Sequence, residues 1–200
     1  MKIAVVNRQR AARPDGPRLR RFAAWVMATA AAAAARPGRR WDAVDILLVG
    51  DAGIVEAKRA TFGRRAVTDV VSQPYRPAAP GGGWSGDVVV NVEQALREGA
   101  RRPGGPAREL ARYIAHGCQH LAGASDRTRA GRAAMARREC AWLRAAGREG
   151  FLDHLLAGAT APPREAGGPG AEGRAAAGPH GLAPSRRSGA GRARRAGARP

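Results

Sequence analysis

The composition of this sequence changes at about residue 157, and the change limits how much of the chain can fold. Residues 161–200 are mainly Gly, Ala, Pro and Arg, with no aromatic residue and almost no large aliphatic one. Such a segment buries too little apolar surface to offset the entropy that it loses on ordering. The sequence therefore predicts one folded domain over residues 1–156 and a disordered basic tail over residues 157–200.

The order of the predicted elements indicates the fold class. Runs of branched and aliphatic residues predict strands at 2–6, 44–49, 68–72 and 88–92. Helical spacing and turn residues predict helices at about 16–35, 52–61, 93–101, 107–122 and 128–148, with a last apolar turn at 151–156. Strands come early and helices late, so we predict an α+β domain: a small mixed four-stranded sheet packed with about five helices.

The N-terminal region has a signal-peptide pattern, because basic residues 8–21 precede the apolar, alanine-rich residues 22–35. However, a strand comes before the basic stretch, alanine forms helices readily, and about 14 apolar residues are too few to span a bilayer. A buried or amphipathic helix is therefore the prediction, with no membrane partner. Cys118 and Cys140 have no disulfide-like spacing, which favours a reduced, cytoplasmic compartment.

The chain is strongly basic, with a formal net charge of +19, and Lys2 and Lys58 are its only lysines. A GC-rich genome explains an excess of Arg and Ala without any function. A polyanionic partner explains it equally well, because guanidinium groups pair with phosphates. The charge alone leaves both interpretations open.

The most informative segment contains two histidines four residues apart, His116 and His120, followed by Gly123 and Asp126. On a helix the two imidazoles lie on one face, and a left-handed Gly123 would turn the chain so that Asp126 returns beneath them. Two imidazoles and one carboxylate fill three positions of a tetrahedral site and leave the fourth for water. We therefore predict a catalytic metal centre at these three side chains, with Zn²⁺ as the expected ion, one per chain.

Other interpretations of these residues compete. Histidine pairs at this spacing are common on solvated helices, although here they are two of only four histidines in the chain. Asp126 is also a candidate N-cap for a helix that starts near Arg127. His154 is a rival third ligand far along the sequence, and Cys118 points to a different helix face, where packing is its expected role.

The sequence carries three short motifs in order. Residues 68–72 read T-D-V-V-S, residues 86–90 read G-D-V-V-V, and residues 116–126 read H-G-C-Q-H-L-A-G-A-S-D, with Glu109 seven positions before the first histidine. They resemble the T-D-V-L-S-F, G-D-I-x-I and H-G-x-L-H-L-x-G-x-D-H motifs of the YbeY family of rRNA-maturation endoribonucleases. The resemblance extends over about residues 2–150.

The resemblance implies a metal-dependent endoribonuclease of rRNA maturation and ribosome quality control that hydrolyses RNA phosphodiesters with a metal-bound water. Its implied partners are an rRNA precursor and the ribosome or ribosomal proteins, with no small-molecule cofactor. The family's positive charge before the T-D-V strand has no clean counterpart here. Arg59, Arg64 and Arg65 are the candidates for this phosphate contact, while Lys58 and Phe62 lie near the corresponding positions.

Asp126 replaces the family's third histidine, and this carboxylate should make a coordinated water less acidic. Gln119 and Gln73 also depart from the family pattern, where leucine and phenylalanine stand. Two other functions stay open: a non-catalytic RNA- or ribosome-binding protein, and a metzincin-like zinc protease. The protease would need a glutamate general base where Gly117 stands. Tyr113 and the tryptophans are candidates for base stacking, with core packing as the simpler expectation.

Overall fold

The structure, a computed structural model, describes residues 1–34 and 39–157, so the predicted tail beyond residue 157 lies outside it. Within those residues the predicted five helices and four-stranded mixed sheet are confirmed. The helices are α1 (Gly16–Ala32), α2 (Asp51–Phe62), α3 (Val92–Gly99), α4 (Gly105–Leu121) and α5 (Arg129–Arg148). The strands are β1 (Lys2–Asn7), β2 (Arg13–Pro14), β3 (Trp41–Val49), β4 (Val70–Tyr75), β5 (Trp84–Asn91) and β6 (Leu156–Ala157).

The main sheet has the strand order β1-β3-β5-β4, with β1, β3 and β5 parallel and β4 antiparallel to β5. Strand β4 runs further than predicted, because Pro74 and Tyr75 pair with Gly86 and Ser85. Proline is tolerated there because β4 is an edge strand, which has one side without a strand partner for a backbone N–H. The short β2–β6 pair was not predicted, since two-residue strands carry no periodicity.

Helices α1 and α4 build the main core on one face of the sheet. The alanine-rich segment is a core helix, as predicted: Leu19, Phe22, Val26 and Met27 of α1 are fully buried. Its first turn is capped by Asp15, whose carboxylate accepts a hydrogen bond of 2.9 Å from the Arg18 amide. No helix in the described ranges is long and apolar enough to serve as a membrane span.

Helix α4 lies close against strands β4 and β5, and Gly117 makes this approach possible. A Cβ atom at this position would lie 2.4 Å from Val88 Cγ1 and 2.9 Å from Ser72 Oγ. A side chain of any size would therefore push α4 away from the sheet. The glycine that follows the first histidine thus fixes where that histidine stands.

We expect Gly117→Ala to lower the free energy of unfolding by about 1–3 kcal/mol, because the added methyl overpacks the helix–sheet contact. For a domain of this size the midpoint of thermal unfolding should fall by roughly 2–4 °C per kcal/mol. The matched control is Gly16→Ala at the start of α1, where a Cβ meets nothing within 4 Å. Equal midpoints for the two variants would contradict the packing argument.

Candidate metal centre

The structure brings the three predicted ligands together at one cleft of about 580 Å³ between the end of α4 and strand β4. One donor atom from each of His116, His120 and Asp126 lies within 4.8 Å of the other two. The Nε2 atoms of the two histidines are 3.0 Å apart, and Asp126 Oδ2 is 3.9 Å from His120 Nε2. All three residues are half-buried, so solvent and a ligand can reach them.

The turn after α4 places Asp126 and orients His120. Gly123 has the predicted left-handed backbone, with φ of 94°, and the Ala124 amide donates to the Gln119 carbonyl at 2.9 Å. The carbonyl of Ala124 then accepts a hydrogen bond of 3.1 Å from His120 Nδ1. Asp126 is not the cap of the next helix, because Thr128 caps α5 by accepting from the Gly131 amide. The Asp126 carboxylate is therefore available to a cation.

Glu139 of α5 orients His116, a role that the sequence analysis missed. Its Oε1 lies 2.7 Å from His116 Nδ1 and accepts a second hydrogen bond of 3.0 Å from Gln119 Nε2. Both Glu139 and Gln119 are buried. A carboxylate behind a ligand histidine fixes the ring and strengthens its donor nitrogen.

These contacts determine the proton positions on both rings. Ala124 O and Glu139 Oε1 accept hydrogen bonds, so each histidine donates from Nδ1 and presents the lone pair of its Nε2 when neutral. Two lone pairs 3.0 Å apart repel each other unless a proton or a metal cation lies between them. The two nitrogens and the nearby carboxylate therefore form a donor set that fits a divalent metal.

The environment shifts the two imidazole pKa values in opposite directions. Burial lowers the pKa of His116, but the hydrogen bond to Glu139 and its charge outweigh burial and raise the pKa above its ordinary value. Burial and the neighbouring His116 lower the pKa of His120. Only His116 has a carboxylate at Nδ1; the Ala124 carbonyl at His120 Nδ1 also raises the pKa, but too little to offset burial and the neighbouring ring.

The cleft wall opposite α4 comes from the T-D-V-V-S motif, since residues 68–72 all line it. Asn91 fixes this segment with two hydrogen bonds. Its side-chain Nδ2 donates to the Thr68 carbonyl at 3.1 Å, and its backbone N–H donates to the Asp69 carbonyl at 2.9 Å. Ser72 Oγ is buried and has no hydrogen-bond partner among the residues that the structure describes. The motif thus supplies polar groups to the same cleft as the histidines.

The three candidate phosphate-binding arginines are exposed and do not line the cleft. Arg59 and Arg65 both pair with Glu56, at 3.0 and 3.3 Å. Their contact with phosphate stays a prediction. Arg127 lines the cleft instead, and the sequence analysis missed it.

The remaining candidates lie elsewhere. His154 is exposed in a turn, and it is outside the metal-ligand group. Cys118 is buried, as expected, and burial raises the pKa of its thiol to about 12. Tyr113 and Trp41 are buried in the core, and the other three tryptophans are packed against it. The aromatic residues that were candidates for stacking therefore serve the core.

Glu109, the glutamate of the lead-in to the histidine motif, has a structural role. It is buried at the start of α4, where it accepts a 3.0 Å hydrogen bond from Arg102 and a second one from Arg112. Burial raises the pKa of this carboxyl group, although the charge of Arg102 opposes the shift. Glu109 thereby ties the loop before α4 to the helix that carries both histidines.

Comparison with known proteins links this cleft to one family. The family model described as Endoribonuclease YbeY matches residues 4–147. The chain is 38% identical to Endoribonuclease YbeY of Anaeromyxobacter sp. (strain Fw109-5) over 133 residues, which are 66% of this chain and 69% of that protein. It is 37% identical to Endoribonuclease YbeY of Moorella thermoacetica over 151 residues, which are 71% of this chain and 96% of that protein. The match to the family model spans both histidines and the T-D-V-V-S segment.

Proposed function

The chain belongs to the endoribonuclease YbeY family, and we propose that it cuts RNA phosphodiesters during rRNA maturation at the His116–His120–Asp126 centre, with zinc as its metal. The observation that carries the proposal is the pair of Nε2 atoms, 3.0 Å apart, that share a cleft with a carboxylate. Family membership indicates the reaction, and the three donor side chains indicate where on this chain it takes place.

A divalent cation at this centre would supply Lewis-acid chemistry, because it polarises a phosphoryl oxygen and lowers the pKa of a coordinated water. The protein's part is to hold and orient the donors. Glu139 and the Ala124 carbonyl keep both rings with Nδ1 protonated, so that Nε2 points to the cleft. Asp126 adds a negative charge where the family motif has a neutral histidine, and this favours binding of the cation over acidification of water.

The packing of α4 on the sheet leaves no room for the general base of a metzincin-like protease. That base would follow the first histidine, at Gly117, where even a Cβ would lie 2.4 Å from Val88 Cγ1. A glutamate side chain has no room there while α4 packs on the sheet. We therefore expect RNA and not peptide bonds to be the substrate of this centre.

Zinc suits two imidazoles and one carboxylate, although iron, nickel and manganese share these ligands. Three further parts of the proposal go beyond family membership: the rRNA precursor as target, ribosomes or ribosomal proteins as partners, and a cytoplasmic location. They are supported by the basic charge of the chain and by its two free cysteines, Cys118 and Cys140.

The test is removal and return of the metal. We expect the purified chain to contain about one divalent ion, to lose RNA cleavage on chelation, and to regain it most fully with Zn²⁺. Elemental analysis gives the stoichiometry, and cleavage of a structured rRNA precursor gives the activity, with casein as the peptide control. A chain that cuts RNA equally well before and after complete metal removal would overturn the proposal.

A further inference from the structure

The metal cleft has an aromatic side chain on its rim. Phe62, the last residue of α2, lines the same cleft as His116, His120 and Asp126. Its exposed fraction is 57%, the largest among the exposed hydrophobic residues of the described chain. Helix α2 buries Ile54 in the core, so folding does not account for the position of this ring.

The local backbone fixes where Phe62 stands. Gly63 adopts a left-handed conformation, with φ of 69°, and its amide donates to the Arg59 carbonyl at 2.8 Å. This hydrogen bond ends α2 directly after Phe62, so the ring is attached to the last turn of a helix. Such an attachment restricts the ring more than a position within a loop would.

The other aromatic rings of the described chain are engaged elsewhere. Phe22, Trp41 and Tyr113 are buried, and Trp25, Trp84, Trp142 and Phe151 pack against the core. Tyr75 donates its hydroxyl to Asp87 at 2.9 Å and does not line the metal cleft. Among the Phe, Tyr and Trp side chains of the described residues, Phe62 is therefore the one that lines the metal cleft.

We propose that Phe62 is a stacking platform for the nucleobase next to the scissile phosphate. This inference rests on the proposed function. A base has an apolar face that covers the exposed ring, and base–aromatic stacking contributes substantially to the binding of single-stranded RNA. Arg127, on the same cleft, is an exposed cation suited to the neighbouring phosphate.

The test compares Phe62→Ala and Phe62→Trp with wild type on an RNA whose cleavage site has been mapped. We expect Phe62→Ala to raise KM by roughly 5- to 150-fold with a smaller change in kcat, and Phe62→Trp to stay near wild type. The matched control is Val67→Ala. Val67 is also exposed, at 49%, but it does not line the cleft, and its KM should not change.

An abasic scan of the same RNA identifies the stacked base. One abasic position beside the cut should raise the KM of wild type and leave that of Phe62→Ala nearly unchanged, because the partner is already missing. Equal KM for wild type and Phe62→Ala, or equal abasic penalties for both enzymes at every position, would overturn the inference. If wild type cuts no RNA, the proposed function fails separately. Fluorescence anisotropy then measures the binding of the same RNA to wild type and to Phe62→Ala. Equal Kd values for these two proteins would overturn the stacking role of Phe62.

Discussion

Replacing His116 and His120 together with alanine is expected to remove the metal from the purified chain and to reduce RNA cleavage to background. The substitutions delete the two Nε2 donors that lie 3.0 Å apart, and they leave only the half-exposed carboxylate of Asp126. A single carboxylate rarely holds zinc against water. Elemental analysis and the rRNA-precursor assay measure the two losses, each relative to wild type prepared in the same way.

His154→Asn is the matched control for this double variant, because His154 is exposed in a turn outside the ligand group. Its backbone has φ of 56°, a conformation that asparagine tolerates better than alanine. Circular dichroism and thermal unfolding in the presence of chelator compare the folds of the apo proteins. A double variant that retains the wild-type metal content would exclude these histidines as ligands. A double variant that retains RNA cleavage would show that cleavage does not depend on this centre.

The sequence carried enough information to predict the sheet, the five helices and the grouping of His116, His120 and Asp126. Those features depend on local patterns: runs of branched residues, a helical spacing of four, and a glycine that ends a helix. The packing role of Gly117 also has a local signal, which is a glycine within a helix that packs closely on a sheet.

Glu139 was missed because its partner is 23 residues away on another helix. A signal for it was present, since Met135, Glu139 and Leu143 recur every four residues and all three are buried. A glutamate on the apolar stripe of a helix requires a buried partner. His116 and Gln119 supply that partner, and only the packing of α5 on α4 reveals them.

The arginine predictions depended on tertiary structure in the same way. Arg59 lies in the last turn of α2, and Arg64 and Arg65 follow the helix, but none of the three lines the cleft. Arg59 and Arg65 pair with Glu56 instead. Phe62 is the first and Arg127 the last, in sequence, of the residues that line the cleft. Neither residue belongs to a motif, so spacing alone gave no reason to select them.

Glu139→Gln is expected to weaken metal binding by about 10- to 100-fold while the fold is retained. The amide is close in size to the carboxylate, and its oxygen can still accept from His116 Nδ1, so the ring keeps its orientation. What is lost is the negative charge beside the ring, 2.7 Å from Nδ1, which strengthens the Nε2 donor. Competition against a chelator of known affinity measures the change.

Glu149→Gln is the matched control, because Glu149 is an exposed glutamate at the end of the same helix and does not line the metal cleft. Both variants change the net charge of the chain equally, so a difference between them cannot come from overall charge. Wild-type affinity in Glu139→Gln would mean that the carboxylate only fills space behind His116. A loss confined to Glu139→Gln would show that this buried charge acts on the metal through the imidazole ring, as the hydrogen-bond geometry requires.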